Sequence, residues 1–96
     1  MVKHVVVWKL KEENKTENAK EMKRQLEKLP ALISQIKSLE VGINENGGEY
    51  DVILITSFDS YDDLKTYDAH PEHQKVRTFI RGVVKTRIAV DYQFWF

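Results

Sequence analysis

Val2-Lys-His4-Val-Val-Val-Trp8-Lys-Leu-Lys11 alternates along its whole length. In an extended chain Val2, His4, Val6, Trp8 and Leu10 lie on one side and Lys3, Val5, Val7, Lys9 and Lys11 on the other, the period of two that marks a β-strand. Both sides carry apolar residues. The same holds for Tyr50 to Phe58, where Tyr50, Val52, Leu54, Thr56 and Phe58 face one way and Asp51, Ile53, Ile55 and Ser57 the other. A strand that is apolar on two faces needs cover on two faces, which places this second strand in the middle of a sheet.

Working outward, the chain between these strands changes period. Thr16 or Asn18 can cap a helix, Asn18 with Glu21 resembling a capping box, and Ala19, Met22, Leu26 and Leu29 follow at helical spacing. Pro30 interrupts that stripe, and Ile33 and Ile36 continue it as a further turn near residues 31–36. Leu39, Val41 and Ile43 alternate as a strand that Asn44-Glu-Asn-Gly-Gly48 turns into a hairpin with the Tyr50 strand. Ser60, three residues before Asp63, starts a helix carrying Leu64 and Tyr67, and Pro71 suits the first position of another carrying Val76, Phe79, Ile80 and Val83. Thr86, Ile88, Val90 and Tyr92 alternate as a last strand before an apolar tail of Phe94, Trp95 and Phe96.

Strand, helix, strand, strand, helix pair, strand is the order of an α+β, ferredoxin-like βαββαβ domain, a four-stranded antiparallel sheet with helices on one face, here one domain over residues 1–96. Such a sheet has a second, bare face. Leaving its valines and isoleucines in water forfeits roughly 1.5 to 3 kcal/mol each, and a second copy of the chain is the simplest cover. Two concave sheets packed together approximate a barrel.

Composition limits the partners. Fifteen Lys and Arg balance fifteen Asp and Glu, so the basic excess that nucleic-acid binding needs is missing. A mean hydropathy of −0.49 and a longest apolar run of Val5 to Trp8 argue against a membrane span. The chain has no cysteine, hence no disulfide or thiolate chemistry, and no apolar leader opens it, so the cytoplasm is the expected address.

The residues able to carry chemistry are few. His4 shares a face with Val6 and Trp8, where a satisfied rim histidine and a ligand-binding one look alike. His70 and His73 sit in Tyr67-Asp-Ala-His70-Pro-Glu-His73, which reads either as a polar surface turn or as an acid-base pair of Tyr67 and His73. In the first turn of its helix, His73 is held neutral by the helix dipole. His-x-x-His split by a proline is not the helical pair of a zinc site, and Gly47-Gly48 lacks the helix and lysine of a phosphate loop. No metal or cofactor is expected.

The Val2–Lys11 and Tyr50–Phe58 strands, Tyr67-Asp-Ala-His70-Pro-Glu-His73-Gln and Asp91-Tyr92 together resemble the stress-responsive dimeric α+β barrel (Dabb) family. The resemblance implies a homodimer through the sheet face and a pocket between sheet and helices for a small apolar or aromatic ligand. A plant branch of the family contains polyketide cyclases that use a tyrosine and a histidine, which correspond to Tyr67 and His73, with His4, Trp8, Asp51 and His70 as pocket candidates. That branch has a histidine where Asp51 stands and a tyrosine where Leu26 stands. Three functions are compatible with these residues: cofactor-free acid-base chemistry on a carbonyl compound, a non-catalytic stress-related or structural dimer, and a monooxygenase like others built on this barrel.

Overall fold

In the computed structural model, which describes residues 1–95, the strands are β1 (Val2–Leu10), β2 (Ser38–Ile43), β3 (Val52–Phe58) and β4 (Val84–Gln93). The helices are α1 (Lys15–Glu27), α2 (Leu29–Leu32), α3 (Tyr61–Ala69) and α4 (Pro71–Val83). Phe96, the last residue of the expected apolar tail, lies outside the described residues. The strands form one antiparallel sheet in the order β2-β3-β1-β4, so the two doubly apolar strands are the central pair.

The alternation of β1 resolves cleanly into two environments. Val2, Val6, Trp8 and Leu10 are buried beneath the helices with Val52, Leu54 and Phe58 of β3, while Lys3, Val5, Val7 and Lys9 look the other way. Met22, Leu26 and Leu29 from the first helical stripe, Leu64 and Tyr67 from α3 and Val76 and Ile80 from α4 close the core over them. The opposite face is bare. Val5 and Val7 lie there beside Ile53 and Ile55 on one flank and Ile88 and Val90 on the other, the latter 47% and 56% exposed. β4 is exposed on both sides beyond Val84, because the helices do not reach this edge strand.

Several boundaries differ from the sequence reading. α1 begins at Lys15 after Asn14, whose left-handed backbone (φ 53°) makes the turn without a side-chain cap, so neither Thr16 nor Asn18 is the cap. Asparagine tolerates that conformation at little cost. Pro30 sits in the first turn of α2, where its missing N–H is no loss, and the helix covers Leu29–Leu32 with Ile33 and Ile36 buried beyond it. The β2–β3 connection spans 44–51, longer than a tight turn. Asn44 organises it by bonding the Tyr50 carbonyl and Asn46, and Gly47 alone supplies a positive φ. β3 therefore starts at Val52, two residues after the expected point, and β4 starts two residues early at Val84.

Ser60 caps α3 as its spacing implies, its Oγ accepting the Asp63 N–H at 3.2 Å. Removing that cap with Ser60→Ala should cost about 0.5 to 2 kcal/mol, whereas Thr16→Ala should change stability by less than about 0.5 kcal/mol. Met22→Ala, which empties a fully buried position, should cost about 2 to 5 kcal/mol. Urea denaturation at one fixed protein concentration ranks the three.

Candidate functional site

The register of the β1–β4 ladder fixes one wall of a cleft. On the helix side His4 stands opposite Asp91, Val6 opposite Ala89 and Trp8 opposite Arg87. Because the helices stop short of β4, a cavity of about 330 Å³ remains between this ladder and the α3–α4 pair. Val6, Leu26, Leu54 and Ile80 give it an apolar floor, all of them buried. His4, Trp8, Tyr67 and His73 are among the residues that bring polar atoms to it. A second depression adjoins it along β4, sharing His4, Asp68 and Arg87.

The junction of the two short helices sets the position of Tyr67 and His73. His70 ends α3 and caps α4: its N–H bonds the Tyr67 carbonyl at 3.1 Å and its Nδ1 accepts the Glu72 N–H at 3.1 Å. Pro71 then starts α4 with its φ already suited to a helix. His73 follows in the first turn and folds back over the last turn of α3, so that the Tyr67 and His73 rings stack at 4.2 Å with 27° between their planes. Phe58 packs against Tyr67 at 5.1 Å, and the His4 ring meets it edge-on at 6.3 Å.

Hydrogen bonding decides which atoms are available. His73 donates from Nδ1 to the Asp68 carbonyl at 3.1 Å, which fixes the tautomer and leaves Nε2 as the basic nitrogen. His4 donates from Nδ1 to the Asp91 carboxylate, since an ionised carboxylate only accepts. Tyr67 Oη and Trp8 Nε1 are buried and have no hydrogen-bond partner among the described residues. Burial pushes the Tyr67 hydroxyl well above its usual 10, with Asp68 adding to the effect, so it stays a proton donor across the working range. Burial also lowers His73 below its usual 6.5, more strongly than Asp68 raises it. The direction is the one expected from the helix dipole, and its first cause is loss of solvent.

Of the six candidates, four line the cavity and two do not. His70 is occupied as the helix cap. Asp51 closes the far end of the β1–β3 ladder instead: its carboxylate accepts the Leu10 N–H at 2.8 Å and lies 3.7 Å from Lys15 Nζ, and its own N–H bonds the Trp8 carbonyl at 2.8 Å. It precedes the first paired residue of β3, so its side chain turns back to the start of α1. Leu26, which stands where the cyclase branch has a tyrosine, lines the cavity. Asp68, Arg77, Arg81 and Arg87 also line it and were not singled out from the sequence. Arg77 and Arg81 follow His73 at intervals of four, the helical spacing that puts all three on one side of α4.

Solved structures share this fold. A dimeric protein of unknown function with a ferredoxin-like fold from Bacteroides fragilis is 39% identical, with 97% of this chain and 95% of that one covered and a TM-score of 0.91. A protein of Arabidopsis thaliana is 27% identical over 99% and 96% of the two chains, with a TM-score of 0.86. A dimeric ferredoxin-like protein of unknown function from Thermobifida fusca, 23% identical over 97% and 90%, superposes with a TM-score of 0.87 and so shares the fold. No curated protein matches the chain. The sequence profile of the stress responsive A/B barrel domain matches residues 2–94, and the chain belongs to that family.

Proposed function

We propose that the protein acts as a homodimer paired through the bare sheet face, that each cavity binds a small apolar or aromatic carbonyl compound, and that Tyr67 and His73 move a proton on it without a cofactor. The observation that carries this reading is the stacked pair itself. It presents a buried hydroxyl with no partner among the described residues beside an imidazole whose Nδ1 is already engaged. A carbonyl oxygen placed against Tyr67 Oη receives its hydrogen bond. His73 Nε2 then takes a proton from the adjacent carbon, the C–H electron pair passes into the new C=C bond, and the enolate oxygen is stabilised by the tyrosine O–H. The apolar floor excludes water and suits a hydrocarbon body. A chain without cysteine suits the reducing cytoplasm, where we place it.

Pairing through the sheet follows from Val5, Val7, Ile53, Ile55, Ile88 and Val90 on one face. The Bacteroides fragilis and Thermobifida fusca proteins are dimeric, which supports the same assembly here.

The catalytic part is tested with aryl ketones and β-keto thioesters, screened by thermal shift and then for turnover. Tyr67→Phe removes an unpaired hydroxyl and should leave the melting temperature within a few degrees; His73→Gln should cost about 0.5 to 1.5 kcal/mol. Both should lower turnover by about 100-fold or more. Unchanged turnover in both variants of a ligand that binds beside them would leave a binding protein and no catalyst.

The pH profile has a definite sign. Only neutral His73 accepts a proton, so kcat/KM should rise as pH increases through a value below 6.5 and stay level past neutrality, because Tyr67 loses its proton only above its usual 10. Stability should fall on acidification over the same low range, since the unfolded chain takes up a proton at 6.5 before the folded one does.

For the dimer, the melting temperature should increase with protein concentration, and Ile55→Asp should split or unfold the assembly. A single 11.3 kDa species in sedimentation at micromolar concentration would exclude it.

A further inference from the structure

The mouth of the cavity is cationic in a way the proton-transfer pair does not use. α4 places His73, Arg77 and Arg81 along one line, the first buried, the second half-buried and the third exposed, so that the line runs from the cavity to solvent. Arg87 enters from the other wall, on β4 opposite Trp8. The acidic groups facing this space are Asp68 and Asp91, and both are engaged. Asp68 is 3.5 Å from the Arg77 guanidinium and 3.9 Å from His73 Nδ1, and Asp91 holds His4. Arg81 and Arg87 have no carboxylate within 4.0 Å among the described residues, although both line the cavity.

Two observations tie this mouth to the buried end of the cavity. Arg87 and Arg77 both act electrostatically on the Tyr67 hydroxyl, against the larger effect of its burial, so they stand within range of the atom that would meet a carbonyl. The Trp8 and Tyr67 polar atoms are buried and unpartnered on the same cavity, which marks it as shaped for a ligand with polar groups as well as an apolar body.

We infer that the ligand carries an oxyanion, a carboxylate or a phosphate, held at the mouth by Arg81 and Arg87, with its carbonyl toward Tyr67 and its apolar body between. The inference rests on the carbonyl-binding reading of the cavity. Guanidinium forks suit either oxyanion, because both offer paired oxygen acceptors. The helix sets the length of the ligand: one turn from His73 to Arg77 is about 6 Å and two turns to Arg81 about 12 Å, so a single ring or a short chain separates carbonyl and anion.

The test uses three matched probes, 4-acetylbenzoate, 4-acetylphenyl phosphate and the neutral 4-acetylbenzamide, titrated into ¹⁵N-labelled protein. The chain has two tryptophans, so the Trp8 indole N–H resonance is readily assigned and reports occupation of the cavity. At least one anionic probe should shift that resonance and bind about tenfold or more tightly than the amide, an advantage that should shrink with added salt and disappear in an Arg81→Gln/Arg87→Gln variant of unchanged melting temperature. Which anion binds more tightly identifies the head as carboxylate or phosphate. Equal binding of all three probes, or an advantage that survives the double substitution, overturns the anion inference and leaves the cavity reading intact. An anion that binds without moving the Trp8 signal sits on the surface and also overturns it. If no probe moves the Trp8 signal, the carbonyl-binding reading falls and takes the inference with it.

Discussion

The fold depends on a central strand pair that is apolar on both sides. β1 and β3 send alternate residues to opposite faces, so burying Val6, Trp8 and Leu54 under the helices necessarily turns Val5, Val7, Ile53 and Ile55 to the other side. A slip of one residue would exchange the sets and put Lys3 and Lys9 into the core, which is why the register is firmly held. The helices meet only part of this demand. They cover β1 and β3 and leave β4 overhanging, and the cavity is the space under that overhang.

Tyr67 and His73 owe their geometry to backbone constraints more than to attraction between them. The His70 cap and the fixed φ of Pro71 join two helices with almost no slack, so the last turn of one and the first turn of the next must overlap. The Asp68 carbonyl, left without an intrahelical donor near the end of α3, takes the His73 Nδ1–H and the Gln74 side-chain N–H instead. The same bond that satisfies a helix end also selects the imidazole tautomer. Structural completion and chemical preparation are here one interaction.

Much of this was legible along the chain. Strand faces follow from alternation, the α3 start from Ser60 with Asp63, and the α4 start from Pro71, because each is decided within a few residues. The nearness of Tyr67 and His73 was also readable, since only Ala69 and His70 separate Asp68 from Pro71 and His73 lies just beyond. What failed to read was whatever depends on distant chain. Asp51 alternates correctly for a strand, but its carboxylate answers to Leu10 and Lys15, which no local pattern reveals. Asn14 took over the start of α1 because a left-handed backbone can make the turn unaided, where the side-chain motif at Thr16 and Asn18 suggested otherwise. The arginines of the mouth carry no local signal either, since only the cross-strand register puts Arg87 beside Trp8.

β4 joins the two uses of the sheet. Its residues alternate between Arg87, Ala89 and Asp91 on the cavity side and Ile88, Val90 and Tyr92 on the bare side. An edge strand without helices against it is held, among the described residues, chiefly by its ladder to β1, and on that footing the mouth of the cavity would be the least constrained part of the molecule. A second sheet packed on Ile88, Val90 and Tyr92, as in the proposed dimer, would clamp the same backbone from behind and so fix where Arg87 and Asp91 stand. Asp91 in turn holds His4, which touches the Tyr67 ring. The proposed assembly through the bare face would thus reach Tyr67 and His73 through one strand, and a chain that failed to pair would lose the order of its cavity along with the cover of its valines.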